Sequence, residues 1–299
     1  MLRLERLGWT HGIAFTAFGR KIGIRVNQAA ALEQALELLP PGAAPARAPY
    51  VERMYSLRVG GETALARGNR RGVRQFHLLF AGLTRVVRSM DLEEAMASLA
   101  GDLKLYVAET AARRVFVHAG VVGWRGQAIV LPGSSHSGKT TLVAELVRAG
   151  ATYYSDEYAV LDARGRVHPY ARPLEIRREG LRRMLRCPVE ELNGRAGRKP
   201  LPPGLVVVTT YQPGTDMGTD WKPAPLTQGQ GMLELLAHTV CARQRSDEAL
   251  RALRQATART MILRGTRGAA AVAARDILRL ADEYADRLAS EGKGIVYEV

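Results

Sequence analysis

The segment Gly133-Ser-Ser-His-Ser-Gly-Lys-Thr140 indicates the fold more strongly than any other stretch of this 299-residue chain. It matches the Walker A pattern G-x-x-x-x-G-K-[ST] at every fixed position. Apolar residues 128–131 predict a strand before it, and residues 140–149 predict an amphipathic helix after it. This order brings successive backbone N–H groups and a helix N-terminus to one place, where they can bind phosphate. The segment therefore predicts a phosphate-binding loop for a nucleotide.

The residue types of this loop predict ATP and Mg²⁺ as cofactors. Lys139 is expected to contact the β- and γ-phosphates, and the Thr140 hydroxyl to ligate Mg²⁺. The residues expected to bind the nucleotide are Gly133, Ser134, Ser135, His136, Ser137, Gly138, Lys139, Thr140 and Thr141. His136 occupies a variable position of the pattern, so contact with a phosphate and exposure to solvent both remain open.

Two acidic residues, Asp156 and Glu157, follow the strand predicted at residues 151–155. In proteins with such a loop, a carboxylate at a strand end commonly faces the metal and the γ-phosphate. Both acids are therefore candidates for holding Mg²⁺ and for accepting a proton from an attacking hydroxyl. A helix cap or an ordinary loop acid is the alternative interpretation.

His118 lies in the apolar strand predicted at residues 115–122. A single histidine in such a strand is more often a core residue than a catalytic one. The residues alone therefore favour the core interpretation.

Three motifs together resemble the HPr kinase/phosphorylases and their related serine kinases. The motifs are His118-Ala-Gly-Val-Val122, the loop at 133–140 and Ser155-Asp156-Glu157, with 21 positions from His118 to Lys139 and 17 from Lys139 to Asp156. The resemblance implies an α/β P-loop kinase domain with a mixed sheet, like those of HPr kinase and PEP carboxykinase. It also implies that Asp156 is the acid/base partner of a serine hydroxyl, with Lys139 on the phosphates and His118 close by to position Asp156. One branch of this group phosphorylates the terminal serine of lasso-peptide precursors.

Two further segments extend the resemblance. Leu174-Glu175-Ile-Arg177 is similar to the family's Glu-Ile-Arg segment and implies that Glu175, together with Glu157, helps to hold the metal. His168-Pro-Tyr-Ala-Arg-Pro173 is similar to a Pro-Arg-Pro signature of the related kinases, so Arg172 is a candidate phosphate contact. A proline-stiffened turn with a surface arginine is the alternative for Arg172. The later glycine-rich signature tied to HPr recognition is not found.

The chain is strongly basic, with a formal net charge of +14 and a pI near 10.3. This charge suits an acidic substrate, a nucleic acid or simply an arginine-rich proteome. Aromatic residues make up only 6%, which disfavours a nucleic-acid partner that stacks its bases. An amphipathic helix is predicted at 177–186, as a solvated face or as a docking surface for an anionic substrate. Its arginines are Arg177, Arg178, Arg182, Arg183 and Arg186.

The chain is predicted to contain a small α+β unit at residues 1–112 and the P-loop domain at 113–299. In the first unit Asn27 is expected to cap a helix that ends at Leu39. The N-terminus lacks the apolar core of a signal peptide, and no stretch approaches the roughly 20 apolar residues of a membrane helix. The two cysteines lack CxxC spacing. A cytoplasmic protein without a membrane partner is expected, and a homo-oligomer is a possibility that the sequence leaves open.

These features together predict a serine kinase that transfers the γ-phosphate of ATP to a serine of an acidic protein or peptide. Three alternatives stay open. A nucleotide-dependent switch or NTPase would bind nucleotide without a phosphorylated acceptor, and a kinase of a small hydroxylated metabolite would differ only in the acceptor. A nucleic-acid binder would lose affinity steeply with salt.

Overall fold

The computed structural model describes residues 2–5, 7–47, 50–60, 75–134, 137–177, 184–212, 221 and 223–292. The chain divides into two compact units, Met1–Ala112 and Arg113–Val299, called unit 1 and unit 2 below. No helix among the described residues combines the length and the apolar character needed to cross a membrane. Both cysteines, Cys187 and Cys241, are buried and free of disulfide bonds.

Unit 1 is a twisted sheet with helices packed on it. Its described strands form a six-stranded sheet in the order β3-β1-β2-β4-β5-β6. The strands are β1 (His11–Ala17), β2 (Arg20–Val26), β3 (Ala44–Pro45), β4 (Arg53–Arg58), β5 (His77–Ala81) and β6 (Thr84–Ser89), and the helices are α1 (Leu2–Glu5), α2 (Ala29–Leu36) and α3 (Leu92–Thr110). Alternate strand residues such as Phe15, Ile24 and Leu57 are buried, as strand geometry requires when one face forms a core.

The start of α2 differs from the prediction. Gln28 occupies the cap position and makes no side-chain cap bond. The Asn27 side chain instead bonds the backbone of Val59, with Nδ2 donating to the carbonyl at 2.9 Å and Oδ1 accepting from the N–H at 2.7 Å. The predicted cap at Asn27 is therefore wrong, because a contact distant in sequence takes the side chain that the helix would use. The helix also ends at Leu36 rather than at the predicted Leu39.

Unit 2 is a mixed α/β unit whose sheet carries helices on both faces. Its described strands lie in the order β11-β10-β7-β8-β14-β16-β15, with β9 also paired to β7. They are β7 (Val115–Trp124), β8 (Gln127–Pro132), β9 (Thr152–Ser155), β10 (Tyr158–Leu161), β11 (Val167–His168), β14 (Pro203–Tyr211), β15 (Ala224–Pro225) and β16 (Met261–Arg267). The helices are α4 (Lys139–Arg148), α5 (Gln228–Ala237), α6 (Ser246–Thr257) and α7 (Ala270–Gly292), with a 3-10 helix at Val189–Leu192. This architecture agrees with the predicted α/β class and mixed sheet.

The register of the central strands places one edge of the sheet beside the loop. Strand β8 pairs in parallel with β14, and β14 pairs in parallel with β16, whereas β7 runs antiparallel to β8. The carboxyl ends of β8, β14 and β16 therefore meet at the same edge, where ligands of open α/β sheets commonly bind. Successive residues of β8 contribute to two separate apolar clusters, so both faces of the sheet are buried.

The described ends of the segment at 177–186 are strands, so the predicted amphipathic helix is wrong there. Strand β12 (Leu174–Arg177) pairs antiparallel with β13 (Met184–Cys187) as a two-stranded sheet. Leu174 and Cys187 lie opposite each other and are buried against the cluster around α4, so packing outweighs the helical spacing. Residues 178–183 lie outside the described residues.

Candidate active site

The glycine-rich loop connects β8 to α4, as the sequence predicts. The Gly133 N–H donates to the His118 carbonyl at 3.2 Å, and Gly138 stands at the N-cap of α4 with φ 80°. A Cβ at Gly133 would lie 2.9 Å from Ser137 Oγ, and one at Gly138 would lie 2.6 Å from Arg267 Nη2. Gly138 therefore needs glycine for its left-handed backbone, whereas the contacts at both Cβ positions are with the ends of side chains. Ser135 and His136 are outside the described residues.

Lys139 turns its ammonium group back over the loop. Its Nζ donates to the carbonyl oxygens of Gly133 at 2.8 Å and of Ser134 at 2.6 Å. Partial burial lowers the pKa of Lys139, and the negative charges of Asp156 and Glu157 oppose that shift. The ammonium group thus lies among the loop carbonyls, within electrostatic reach of both acids.

Asp156 is bound through both carboxylate oxygens. Thr140 Oγ1 donates to Oδ2 at 2.9 Å, and the Tyr153 hydroxyl lies 2.9 Å from Oδ1. Burial raises the pKa of Asp156, and the two hydrogen bonds partly offset that rise. The first helical turn after the loop and the end of β9 are therefore joined at a single carboxylate.

Ser155 shapes the turn that carries the acidic pair. Its Oγ accepts from the backbone N–H groups of Glu157 at 3.1 Å and Tyr158 at 2.9 Å. The His118 ring lies against the Tyr158 ring, with centroids 4.7 Å apart and planes tilted by 37°. His118 therefore joins the site through its carbonyl on Gly133 and through this ring contact.

Three further predicted site residues, Arg172, Glu175 and Thr141, differ in their contacts and in their exposure to solvent. The Arg172 carbonyl lies 2.9 Å from the Tyr153 hydroxyl, and its Nη1 is buried without a hydrogen-bond partner among the described residues. Such an unpaired guanidinium nitrogen suits an anionic ligand. Glu175 is exposed on β12, opposite Arg186, and no described contact joins it to Asp156 or Thr140. Thr141 is exposed on the first turn of α4.

Arg267 is a site residue that the sequence reading missed. It ends β16, is 4% exposed, and donates through Nη2 to the carbonyls of Ser137 at 3.4 Å and Gly138 at 3.1 Å. Its guanidinium lies 5.3 Å from the centre of the Tyr211 ring, and burial lowers its pKa. The parallel-strand rule could have found it, because Arg267 and Tyr211 end the strands nearest to the loop strand.

His238 is a second residue that the sequence reading missed. It follows α5 directly, and its carbonyl accepts from the His118 N–H at 2.8 Å. Burial lowers the pKa of His238, and the charge of Lys139 lowers it further. The surroundings of His238 therefore favour its uncharged form. No local motif marks it, since its position depends on how the segment after α5 pairs with β7.

The donor set fits a magnesium–polyphosphate ligand. Magnesium in nucleotide sites is usually held by one or two protein oxygens and completed by phosphates and water. Thr140 and Asp156 supply a hydroxyl and a carboxylate that already touch, and Glu157 adds a neighbouring acid. No cluster of three or more histidine, cysteine, aspartate or glutamate side chains suited to a metal occurs among the described residues.

Comparisons with known proteins found no match in sequence and a distant likeness in structure. No protein-family model and no curated protein matches the sequence. Among solved structures, the HPr(Ser) kinase/phosphatase from Coxiella burnetii is similar over 60% of this chain and 99% of that chain, with 10% identity and a TM-score of 0.29. A likeness at that level carries no argument about fold or function.

Proposed function

We propose that the protein is an ATP-dependent kinase that transfers the γ-phosphate to a serine hydroxyl of a protein or peptide. The observation that supports this most directly is the 2.9 Å bond between Thr140 Oγ1 and Asp156 Oδ2. It joins a phosphate-binding loop to a buried carboxylate, and a phosphoryl transfer to an alcohol needs both.

The proposed roles follow from position and charge. The loop N–H groups and Lys139 bind the phosphates, with Arg172 as a further phosphate contact. Thr140 and Glu157 would hold Mg²⁺, with Glu175 a more distant candidate. Bound magnesium supplies positive charge that neutralises the phosphate oxygens during transfer.

Asp156 acts as the general base in this proposal. The serine Oγ forms a bond to the γ-phosphorus while the bond from that phosphorus to the bridging oxygen of ADP breaks, and the hydroxyl proton passes to Asp156. Burial raises the pKa of this carboxylate, which makes it a stronger proton acceptor than an exposed aspartate. His118 is proposed to position this part of the site from β7, through its contacts with Gly133 and Tyr158.

The acceptor is proposed to be acidic, because the chain carries a net charge of +14. A lasso-peptide precursor is one peptide of the proposed class. The small-metabolite alternative uses the same transfer chemistry, so a panel of acceptors decides between them. The same proposal places the protein in the cytoplasm, without a membrane or nucleic-acid partner. It also includes the possibility of a homo-oligomer.

The substitution Asp156→Asn tests the proposed reaction. Transfer from labelled ATP to serine peptides should fall about 10²- to 10⁴-fold, the usual contribution of a general base, while ATP affinity changes little. Asp162→Asn is the matched control, because the Asp162 carboxylate bonds Arg166 and His168 rather than the loop. Phosphopeptides are counted by mass spectrometry and ATP affinity by calorimetry.

Two results would contradict the proposal. Loss of ATP binding in Asp156→Asn would move Asp156 to a metal-binding or structural role. Tight ATP binding by the unaltered protein, with no phosphorylated peptide or metabolite in any panel, would instead favour a nucleotide-dependent switch.

A further inference from the structure

Tyr153 is the most firmly held side chain that reaches the acidic turn. Its residue pairs with Val122 of β7 on one side and forms a bridge to Ala196 on the other. Its N–H donates to the Arg195 carbonyl at 2.9 Å, and its carbonyl accepts from the Gly197 N–H at 2.7 Å. The residue is 1% exposed. Backbone bonds on both sides and complete burial leave its ring little freedom to move.

The Tyr153 hydroxyl lies between two acceptors. Asp156 Oδ1 and the Arg172 carbonyl are each 2.9 Å from it, and a phenol has a single proton to donate. The hydroxyl therefore donates to only one of these acceptors at a time. An ionised carboxylate is a stronger hydrogen-bond acceptor than a carbonyl. When Asp156 is charged, the Tyr153 hydroxyl therefore donates its hydrogen bond to Asp156.

We propose that Tyr153 is a positioning residue of the transfer reaction, which fixes the orientation of the Asp156 carboxylate and links it to the segment that carries Arg172. This inference rests on the proposed kinase function. Thr140 holds Oδ2 and Tyr153 holds Oδ1, so the carboxylate cannot rotate without losing a bond. A base held in one orientation meets the acceptor hydroxyl more often in a productive geometry.

The two acceptors of the hydroxyl also suit the proton transfer. When Asp156 has taken the serine proton, its own O–H can donate to the Tyr153 oxygen. The phenolic proton then turns to the Arg172 carbonyl. The Asp156 oxygens keep hydrogen-bond partners before and after the transfer, and Tyr153 neither gains nor loses a proton overall.

The neighbouring Tyr154 provides a matched control. It is also buried, at 4% exposure, and its hydroxyl donates to the Lys199 carbonyl at 2.7 Å. Successive residues of a strand point to opposite faces, so the two phenols lie on opposite sides of β9. Tyr→Phe at either position removes one buried hydroxyl, but only Tyr153→Phe removes a bond to Asp156.

Steady-state kinetics of serine-peptide phosphorylation compare the two variants. Tyr153→Phe should lower kcat about tenfold, the effect of losing one charge-assisted hydrogen bond, with little change in the KM for ATP. Tyr154→Phe should keep the kcat of the unaltered protein. Equal kcat values for both variants, after thermal melting has shown both to be folded, would overturn the inference.

A second measurement separates this inference from the kinase proposal. NMR spectra of protein labelled at the tyrosine ring carbons beside the hydroxyls are recorded with and without Asp156→Asn, and the two Tyr→Phe variants assign the signals. Asp156→Asn should shift the Tyr153 signal and leave that of Tyr154 in place. If neither signal moves, Tyr153 does not sense Asp156 and the inference fails, even where serine phosphorylation is observed. A shift without any phosphorylated acceptor would retain the contact and reject the kinase proposal.

Discussion

At the scale of single residues, Arg267 influences the orientation of peptide groups in the loop, because it binds two loop carbonyls. In a trans peptide the carbonyl of one residue and the N–H of the next point in opposite directions. Arg267 binds the carbonyls of Ser137 and Gly138 from the end of β16. The N–H groups of Gly138 and Lys139 therefore point away from Arg267.

Arg267→Gln should therefore weaken ATP binding about tenfold, or about 1.4 kcal/mol. Calorimetric titration with ATP, and separately with pyrophosphate, measures the loss at the phosphate end of the ligand. Arg264→Gln is the control on the same strand, since Arg264 pairs with Glu234 and makes no described bond to the loop. Unchanged affinity for both ligands in Arg267→Gln would show that the loop holds its shape without the arginine.

At this scale, the sequence predicts contacts between site residues that are close together along the chain, and it misses those that are far apart. Thr140 and Asp156 belong to motifs in which spacing implies a shared site, and the structure places them in contact. Arg267 lies far from the loop in sequence, and only the pairing of β14 with β16 brings it there. Tyr153 occupies an apolar-looking strand position, so nothing in the pattern distinguishes it from Tyr154.

At the scale of elements, the turn between β10 and β11 is fixed by its contact with α6. Gly165 has φ +74°, and a Cβ there would meet the backbone nitrogen of Ala256. Gly126, in the turn between β7 and β8, has φ +79° with nothing within 4 Å of its Cβ position. The two glycines share a backbone conformation and differ in the space around it.

Gly126→Ala should cost about 1–2 kcal/mol of unfolding free energy, the penalty of the left-handed conformation alone. Gly165→Ala should lower the free energy of unfolding by about 1–3 kcal/mol more than Gly126→Ala does, because a backbone atom of α6 must also move. Chemical denaturation of the two variants beside the unaltered protein measures the difference. Equal losses would mean that the turn and α6 separate without strain.

Elements were predictable where one local signal dominated. The strand predicted at 158–161 is β10 with the same ends, because its apolar residues are flanked by turn residues. The segment at 177–186 carries apolar residues at helical spacing, yet its described ends pair as strands. There, burial of Leu174 and Cys187 beside α4 decides the outcome, and a sequence window cannot register that contact.

At the scale of the whole molecule, the described residues of the candidate site belong to unit 2. Lys139, Thr140, Tyr153, Asp156 and Arg267 all belong to Arg113–Val299, which contains two apolar clusters of its own. A set of residues with an independent core can in principle fold alone. We therefore propose that this unit is a self-sufficient nucleotide-binding domain, as the predicted boundary at residue 112 also implies.

The fragment 113–299 should bind ATP with an affinity within about tenfold of that of the full chain, equivalent to about 1.4 kcal/mol. Calorimetry on both proteins measures the affinities, and circular dichroism checks that the fragment is folded. Full-length protein carrying Lys139→Ala serves as the control for nucleotide that binds elsewhere. A folded fragment without ATP affinity would show that residues 1–112 contribute to the nucleotide site.

The carboxyl end of β16 also gives this protein an optical property. Trp221 donates from its indole nitrogen to the Thr266 carbonyl at 3.0 Å, one residue before the arginine that binds the loop. Of the other two tryptophans, Trp9 lies in unit 1 and Trp124 bonds Asp282 on α7. Indole emission responds to small changes in the surrounding field. The chain therefore has an intrinsic fluorophore at the edge of the candidate phosphate site, and its emission can be used to test for ligand binding there in unlabelled protein.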